Sequence, residues 1–178
     1  MTKKEILIIL AVVMLLGVCP VKADLVFDHG YNTFNSSYPG EVWVINDAIL
    51  DVLGGEIGKL ETTNFATANL YGGDIDWLWT DDGSVVNIHR GDINWLAPYD
   101  NSTVNLYSYD VIYHPQAPYP GHPVYGSSEW IEGIYFSNDV PFSFGLASRD
   151  AYSHINIVPE PTAFFLLGIG SLWILKKK

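Results

Sequence analysis

The sequence predicts an all-β fold, a short parallel β-solenoid built from about four coils of eighteen residues. The first observation is an internal repeat: residues 36–107 divide without gaps into the segments 36–53, 54–71, 72–89 and 90–107. The second is the composition of residues 24–158, which are rich in Gly, Pro, Asn, Asp, Thr, Tyr and Trp and contain short runs that alternate between apolar and polar residues. One such segment cannot bury its apolar side alone, so we expect the segments to stack as successive coils.

Two columns of aligned residues indicate how each coil is built. The glycine column consists of Gly55, Gly73 and Gly91. The polar column consists of Asp51, Asn69, Asn87 and Asn105. Glycines at a repeated position are typical of tight corners with positive φ. Stacked amide side chains can hydrogen-bond along the stack, so we interpret the polar column as a structural ladder.

The apolar residues predict two inward-facing strands in each coil. Val86 and Ile88 belong to a strand with strict alternation. Ile75 and Leu78 belong to a second strand, whose step of three residues predicts a bend or bulge near residues 76–77.

The hand of the coil follows from positions that lack the aliphatic residues of a hexapeptide repeat. A left-handed helix of hexapeptides also has eighteen residues per coil, but it needs an aliphatic residue at every sixth position. Asn69, Asp81 and Asn87 occupy such positions here, so we predict a right-handed coil. A β-sandwich with repeating hairpins is the alternative.

Because a short stack has open edges, we expect residues 24–35 to cap one end and residues 127–158 to form a small antiparallel cap at the other.

The N-terminal residues 1–23 have the features of a secretory signal peptide. Lys3 and Lys4 precede the apolar run 6–18, and Ala23 places a small residue before the expected cleavage point. Cys19 is the one cysteine of the chain and lies in this segment. We therefore expect an exported domain, residues 24–158, without disulfides or thiol chemistry.

The C-terminal residues 159–178 combine three features. Pro159, Glu160 and Pro161 are followed by the mostly apolar run 162–175 and by three lysines. The run is shorter than the roughly 20 residues of an ordinary membrane-spanning helix. This segment resembles a PEP-CTERM sorting signal, which has the same triplet, a short hydrophobic transmembrane helix and a basic tail. The tail here is all lysine, where the family more often has arginine.

The resemblance implies where the protein goes. It implies export by a bacterium, transient anchoring in the inner membrane through residues 162–175, and processing near the triplet by a membrane protease called exosortase. It also implies a destination at the cell surface or outside the cell, often in bacteria that make exopolysaccharide. Because the resemblance covers only the C-terminal end, the activity of residues 24–158 has to be argued from those residues.

The charge of the chain excludes one class of partner. The net charge is −11, and the basic residues within 24–158 are Lys59, Arg90 and Arg149. Such a surface repels phosphate backbones, so we expect no nucleic-acid binding.

The histidines have no metal-binding spacing and no nucleophile motif occurs, so we do not expect an enzyme. We expect a structural or carbohydrate-binding role in the extracellular matrix, with exopolysaccharide as a partner. A small carbohydrate-active enzyme and a calcium-dependent adhesin are the alternatives.

Two sets of repeat positions are candidate sites. Trp77 and Trp95 share a column one coil apart, so their rings form either a flat platform for sugar rings or a half-buried staple at the corner. Glu56, Asp74 and Asp92 form an acidic column, which is either a stripe that shares calcium between coils or a solvated face. No other cofactor is predicted, and no residue is predicted to be catalytic.

Overall fold

The structure, a computed structural model, describes residues 24–115, 129–148 and 150–159. The expected signal peptide, Glu160, Pro161 and the apolar run 162–175 lie outside these residues. Within the described part of the chain, no helix has the length and apolar character that crossing a membrane requires.

The described residues contain eleven strands and one short 3₁₀ helix. The strands are β1 (Leu25–Phe27), β2 (Tyr31–Asn35), β3 (Tyr38–Val44), β4 (Ile49–Gly54), β5 (Glu56–Thr62), β6 (Thr67–Thr80), β7 (Val85–Pro98), β8 (Thr103–His114), β9 (Trp130–Tyr135), β10 (Pro141–Leu146) and β11 (Ile155–Val158). The 3₁₀ helix, Ala151–His154, lies between β10 and β11.

Parallel pairing at a constant offset confirms the β-solenoid. Ile49 of β4 pairs with Thr67 of β6, and the same column continues through Val85 of β7 to Thr103 of β8. Each step advances by one eighteen-residue repeat. The β-sandwich alternative is therefore wrong, whereas the right hand of the coil stays a prediction.

The coils present two sheet faces. The tryptophan face consists of β1, β3, β5, the second halves of β6 and β7, and β10. The asparagine face consists of β2, β4, the first halves of β6, β7 and β8, and β11. The chain passes from the tryptophan face to the asparagine face through a four-residue turn, and it returns to the next coil through a glycine corner.

Both ends of the stack differ from the predicted caps. Residues 24–35 form a further parallel coil, since Leu25 pairs with Val42 and Tyr31 pairs with Ile49. At the other end β9 pairs antiparallel with β10, as predicted, and it also pairs antiparallel with β8. However, β10 also pairs in parallel with β7, and β11 pairs in parallel with β8. These strands return the chain to the solenoid because they satisfy hydrogen-bonding edges that the last repeat leaves open.

The inward columns predicted from alternation form the core. Val86 and Ile88 on the asparagine face are fully buried, as are Ile75 and Leu78 on the tryptophan face. The equivalent residues of the neighbouring coils belong to the same hydrophobic cluster. Burial of each large aliphatic side chain contributes about 1.5–3 kcal/mol, so the repeat itself supplies most of the apolar stabilisation.

The bend between the faces lies at the glycine column. β6 loses its regular register between Leu70 and Asp74. The irregularity that the sequence predicted near residues 76–77 is also present, because Ile75 and Leu78 are both buried although they are three residues apart. The φ angles of Gly55, Gly73 and Gly91 are 94°, 102° and 140°. L side chains rarely adopt these conformations. At Gly55 a Cβ would also lie 1.9 Å from the carbonyl oxygen of Ser36, so this corner requires glycine.

The opposite corner is a turn with a left-handed residue at the same place in four successive coils. These residues are Asn46, Asn64, Asp82 and Asp100, with φ angles of 60°, 55°, 50° and 47°. Asn and Asp tolerate this conformation because their short polar side chains hydrogen-bond locally. The aligned Asn and Asp residues are therefore a sequence signal for this turn, which we call the turn corner.

The asparagine column forms the predicted amide ladder. The donors are Asn69, Asn87, Asn105 and Asn156. Each Nδ2 donates to a side-chain oxygen in the preceding coil, at 2.7–2.8 Å for the first three and 3.3 Å for the fourth. Asp51 ends the ladder as an acceptor, and the hydroxyl of Tyr31 donates to its other oxygen. A carboxylate suits this end because it only accepts hydrogen bonds.

Candidate functional site

The predicted indole pair is stacked but largely covered. Trp77 and Trp95 are register partners, with ring centroids 5.8 Å apart and an interplanar angle of 20°. Trp77 is half-buried, and Trp95 is 1% exposed. Gly145 of β10 lies against Trp95, since a Cβ at that position would be 2.3 Å from the indole Cζ3. The open platform is therefore wrong for Trp95, because β10 returns as the next strand of the tryptophan face and covers its ring.

The predicted acidic column is in register but does not gather into a metal site. Glu56 pairs with Asp74, Asp74 pairs with Asp92, and all three are exposed. Desolvation, followed by the charges of Asp92, Glu56 and Asp76, raises the pKa of the Asp74 carboxyl. Among the described residues, the carboxylates that converge within 4.8 Å of one another belong to other positions. The column therefore fits the solvated acidic face better than a calcium stripe.

The converging carboxylates lie at the turn corner. They belong to Asp81, Asp82 and Asp100, and their ligand atoms lie within 4.8 Å of one another. Carboxylate oxygens are the ligands that calcium prefers. The group is mostly exposed and lies on a strongly acidic protein, as ordinary charged surface groups do.

A cleft of about 560 Å³ opens between the glycine corner and the β9–β10 hairpin. Arg90 and Asp92 lie on the corner side, where Gly73 and Gly91 leave the backbone without side chains. Glu132 lies on the hairpin side. The volume is within the range of small-ligand sites. Taken together, the residues that line the cleft carry charges of both signs.

Tyr135, one of the residues that line this cleft, has a buried hydroxyl. Its side chain is 2% exposed, and its ring packs against Phe142 with centroids 4.5 Å apart. The hydroxyl has no hydrogen-bond partner among the residues that the structure describes. Burial, and to a smaller extent the charge of Asp92, raises the pKa of Tyr135, so the hydroxyl stays protonated and able to donate. An unpaired buried hydroxyl costs about 1–3 kcal/mol, and a ligand that bonds to it recovers part of that free energy.

Glu132 is held in place from β8. His114 Nε2 lies 3.0 Å from Glu132 Oε1. The His114 ring stacks on Trp130, with centroids 3.8 Å apart and an interplanar angle of 9°. This contact holds the side chain of Glu132, which lines the cleft, through its Oε1 atom.

Sequence reasoning missed this cleft, although one of its residues was visible as an exception. Arg90 replaces the first glycine of the corner that Gly54 and Gly72 occupy in earlier repeats. Glu132 and Tyr135 lie in the predicted antiparallel cap, but nothing in the local sequence places that cap beside the glycine corner. A charged residue in a column of glycines was the signal that the sequence offered.

Comparison with protein families, with curated proteins and with solved structures finds no match for this chain. The function is therefore inferred from the sequence and from the geometry of the molecule.

Proposed function

We propose that this is an exported carbohydrate-binding protein of the bacterial cell surface or extracellular matrix, and that a saccharide binds in the cleft. The cleft carries the proposal, because Tyr135 in its lining has a buried hydroxyl with no hydrogen-bond partner among the described residues, and a ligand that reaches this hydroxyl supplies the missing bond. Arg90 adds donors, and Asp92 and Glu132 add acceptors. Sugar hydroxyls both donate and accept, so they suit a site of this mixed kind.

The charge of the protein narrows the class of saccharide. With a net charge of −11, the surface repels anionic polysaccharides in the absence of bridging cations. We therefore expect neutral polysaccharides to bind better than uronic-acid polymers such as alginate.

The proposed location rests on the two ends of the sequence. Export uses residues 1–23, and an exosortase-type protease cleaves near Pro159–Pro161 after transient anchoring by residues 162–175. In a host with the matching protease, mass spectrometry of the surface form is expected to find a chain that ends near this triplet. A surface form that retains Lys178 contradicts the sorting proposal without affecting the cleft.

The cleft is tested by removing one oxygen atom. The full chain, purified in mild detergent, is run in affinity gels that contain dextran, xylan, laminarin or alginate. We expect Tyr135→Phe to weaken binding to the retarding neutral polysaccharide about tenfold, because the sugar loses its bond to the hydroxyl. Thermal stability is expected to be unchanged or higher, since the hydroxyl has no partner to lose within the described part of the chain.

Tyr109→Phe is the matched control for this experiment. The Tyr109 hydroxyl donates to Asp139 at 3.0 Å, outside the residues that line the cleft. This variant is expected to keep full binding and to lose a little stability. Unchanged binding by Tyr135→Phe, or retardation of the wild-type protein by alginate alone, contradicts the proposed site.

A second candidate function is hydrolysis of the bound saccharide. Asp92 and Glu132 line one cleft from different elements, as the two carboxyl groups of a glycosidase do. Release of reducing ends from xylan or laminarin, lost in both Asp92→Asn and Glu132→Gln, would support this activity. Binding without any release of reducing ends supports a binding protein.

A further inference from the structure

Phe65 in the turn corner combines strain with exposure. Its φ is 69°, it follows Asn64 at φ 55°, and its side chain is 80% exposed. A bulky residue in the left-handed region is an outlier, because its Cβ crowds the backbone there. An exposed ring also gains little from burial, so neither the backbone nor the core explains this phenylalanine.

The next coil has the same turn without a phenylalanine. Asp82 and Gly83 have φ angles of 50° and 74°, and Gly83 takes the place of Phe65. The Phe65 ring lies beside this glycine, where a Cβ would be 3.0 Å from the ring carbon Cε1. The turn therefore forms with glycine at this position, and the strained aromatic residue is not a requirement of the fold. Strain held at an exposed site is grounds for a functional hypothesis.

The ring stands between two shallow depressions lined by polar side chains. One, of about 540 Å³, includes Asn64, Asp82 and Asp100. The other, of about 740 Å³, includes Asn46 and Asp47. Carboxylates accept hydrogen bonds, and amides both donate and accept them. A flat apolar ring flanked by such groups matches the apolar face and hydroxyl rim of a sugar.

We propose that Phe65 is the stacking residue of a second saccharide-binding site, at the turn corner. The polar neighbours of the ring argue against a protein partner, since the centre of a protein interface is apolar. The proposal takes from the proposed function only the class of ligand. The turn corner and the cleft flank opposite ends of the asparagine-face strands, so one site can be lost without the other.

The test distinguishes the effect of losing the Phe65 ring on binding from any effect on the stability of the fold. Phe65→Asn removes the ring and places a residue that tolerates positive φ, so we expect Tm to stay equal or rise. Retardation of the full chain in the dextran, xylan or laminarin gel is expected to fall at least fivefold. Phe65→Trp keeps an aromatic ring and is expected to retain binding. Ile112→Asn removes another exposed apolar side chain, on β8, and is expected to bind as the wild type.

The same gels distinguish this site from the cleft. Loss of binding in Phe65→Asn, with or without loss in Tyr135→Phe, supports the turn-corner site. Loss only in Tyr135→Phe overturns the turn-corner site and leaves the cleft. A wild-type chain that no polysaccharide retards overturns both. Binding of the same variants to polylysine is measured as well. If Phe65→Asn weakens binding to polylysine and leaves polysaccharide binding unchanged, the saccharide proposal is overturned and the partner is a basic protein.

Discussion

His89 occupies an unusual environment for a residue near the surface. Its ring stacks between Tyr71 and Tyr107, with centroid distances of 4.8 and 3.9 Å. Desolvation lowers the pKa of His89, although the charge of Asp51 opposes this shift. Tyrosine rings cover both faces of the imidazole, so a ligand can reach only its edge. A sugar ring therefore cannot stack on His89.

The lowered pKa of His89 predicts a loss of stability in mild acid. As pH falls below the ordinary value of 6.5, the unfolded chain binds a proton while folded His89 stays neutral. The free energy of unfolding is therefore highest above pH 6.5 and falls as the pH approaches the lower folded-state value. His89→Tyr keeps the aromatic stack without this titration, so its Tm is expected to decline less between pH 7 and pH 5.

The control for His89 is His29, whose pKa shift has the opposite direction. His29 is exposed, and its hydrogen bond to Asp47 raises its pKa. His29→Tyr is therefore expected to leave the loss of stability in acid in place. Equal declines of Tm in wild type and His89→Tyr would contradict the assignment.

At the scale of the secondary-structure element, the amide ladder ties the coils of the asparagine face together. Asn87 donates to Asn69 and accepts from Asn105, both at 2.8 Å. Asn87→Ala removes both bonds and leaves two half-buried polar partners unsatisfied. We expect the free energy of unfolding to fall by about 2–3 kcal/mol, measured by urea denaturation.

Asn94 provides a matched control for the ladder. Its Nδ2 also donates one coil back, to Asp76 at 3.1 Å, but the pair is exposed to solvent. Asn94→Ala is expected to cost less than about 1 kcal/mol, because water replaces the lost partner. Similar losses in the two variants would show that burial does not strengthen the ladder.

For the whole molecule, the constant offset predicts that one coil can be removed intact. Deleting residues 72–89 joins Tyr71 to Arg90, which occupies the position of Gly72 one repeat later. The remaining columns still align, so we expect a folded β protein with a cooperative but lower melting transition. Deleting residues 72–80 instead removes the tryptophan-face half of a coil and places unlike columns against each other.

Circular dichroism and thermal melting distinguish these two deletions. The half-coil variant is expected to lose its cooperative transition, because the columns beyond the cut lose their partners. If both variants melt alike, the stability of this protein does not depend on the eighteen-residue register.

The sequence by itself determined the features that repeat. The coil length, the inward columns, the glycine corner and the amide ladder are each visible as residues eighteen positions apart. They were predictable because stacking places residues that are one period apart in the sequence about 4.8 Å apart in space, in a column that runs along the stack. The left-handed turn corner belongs to the same class, since its Asn and Asp residues also form a column.

Only the tertiary structure decided what happens where the repeat is interrupted. Trp95 has the same sequence environment as Trp77, yet it is buried because Gly145 returns to pair with it from fifty residues along the chain. The cleft arises in the same way, since Tyr135 and Glu132 reach the glycine corner through the antiparallel hairpin. Phe65 is plain in the sequence, but its positive φ is a property of the folded turn. A period specifies contacts between equivalent residues, whereas these sites consist of contacts between residues that have no equivalent.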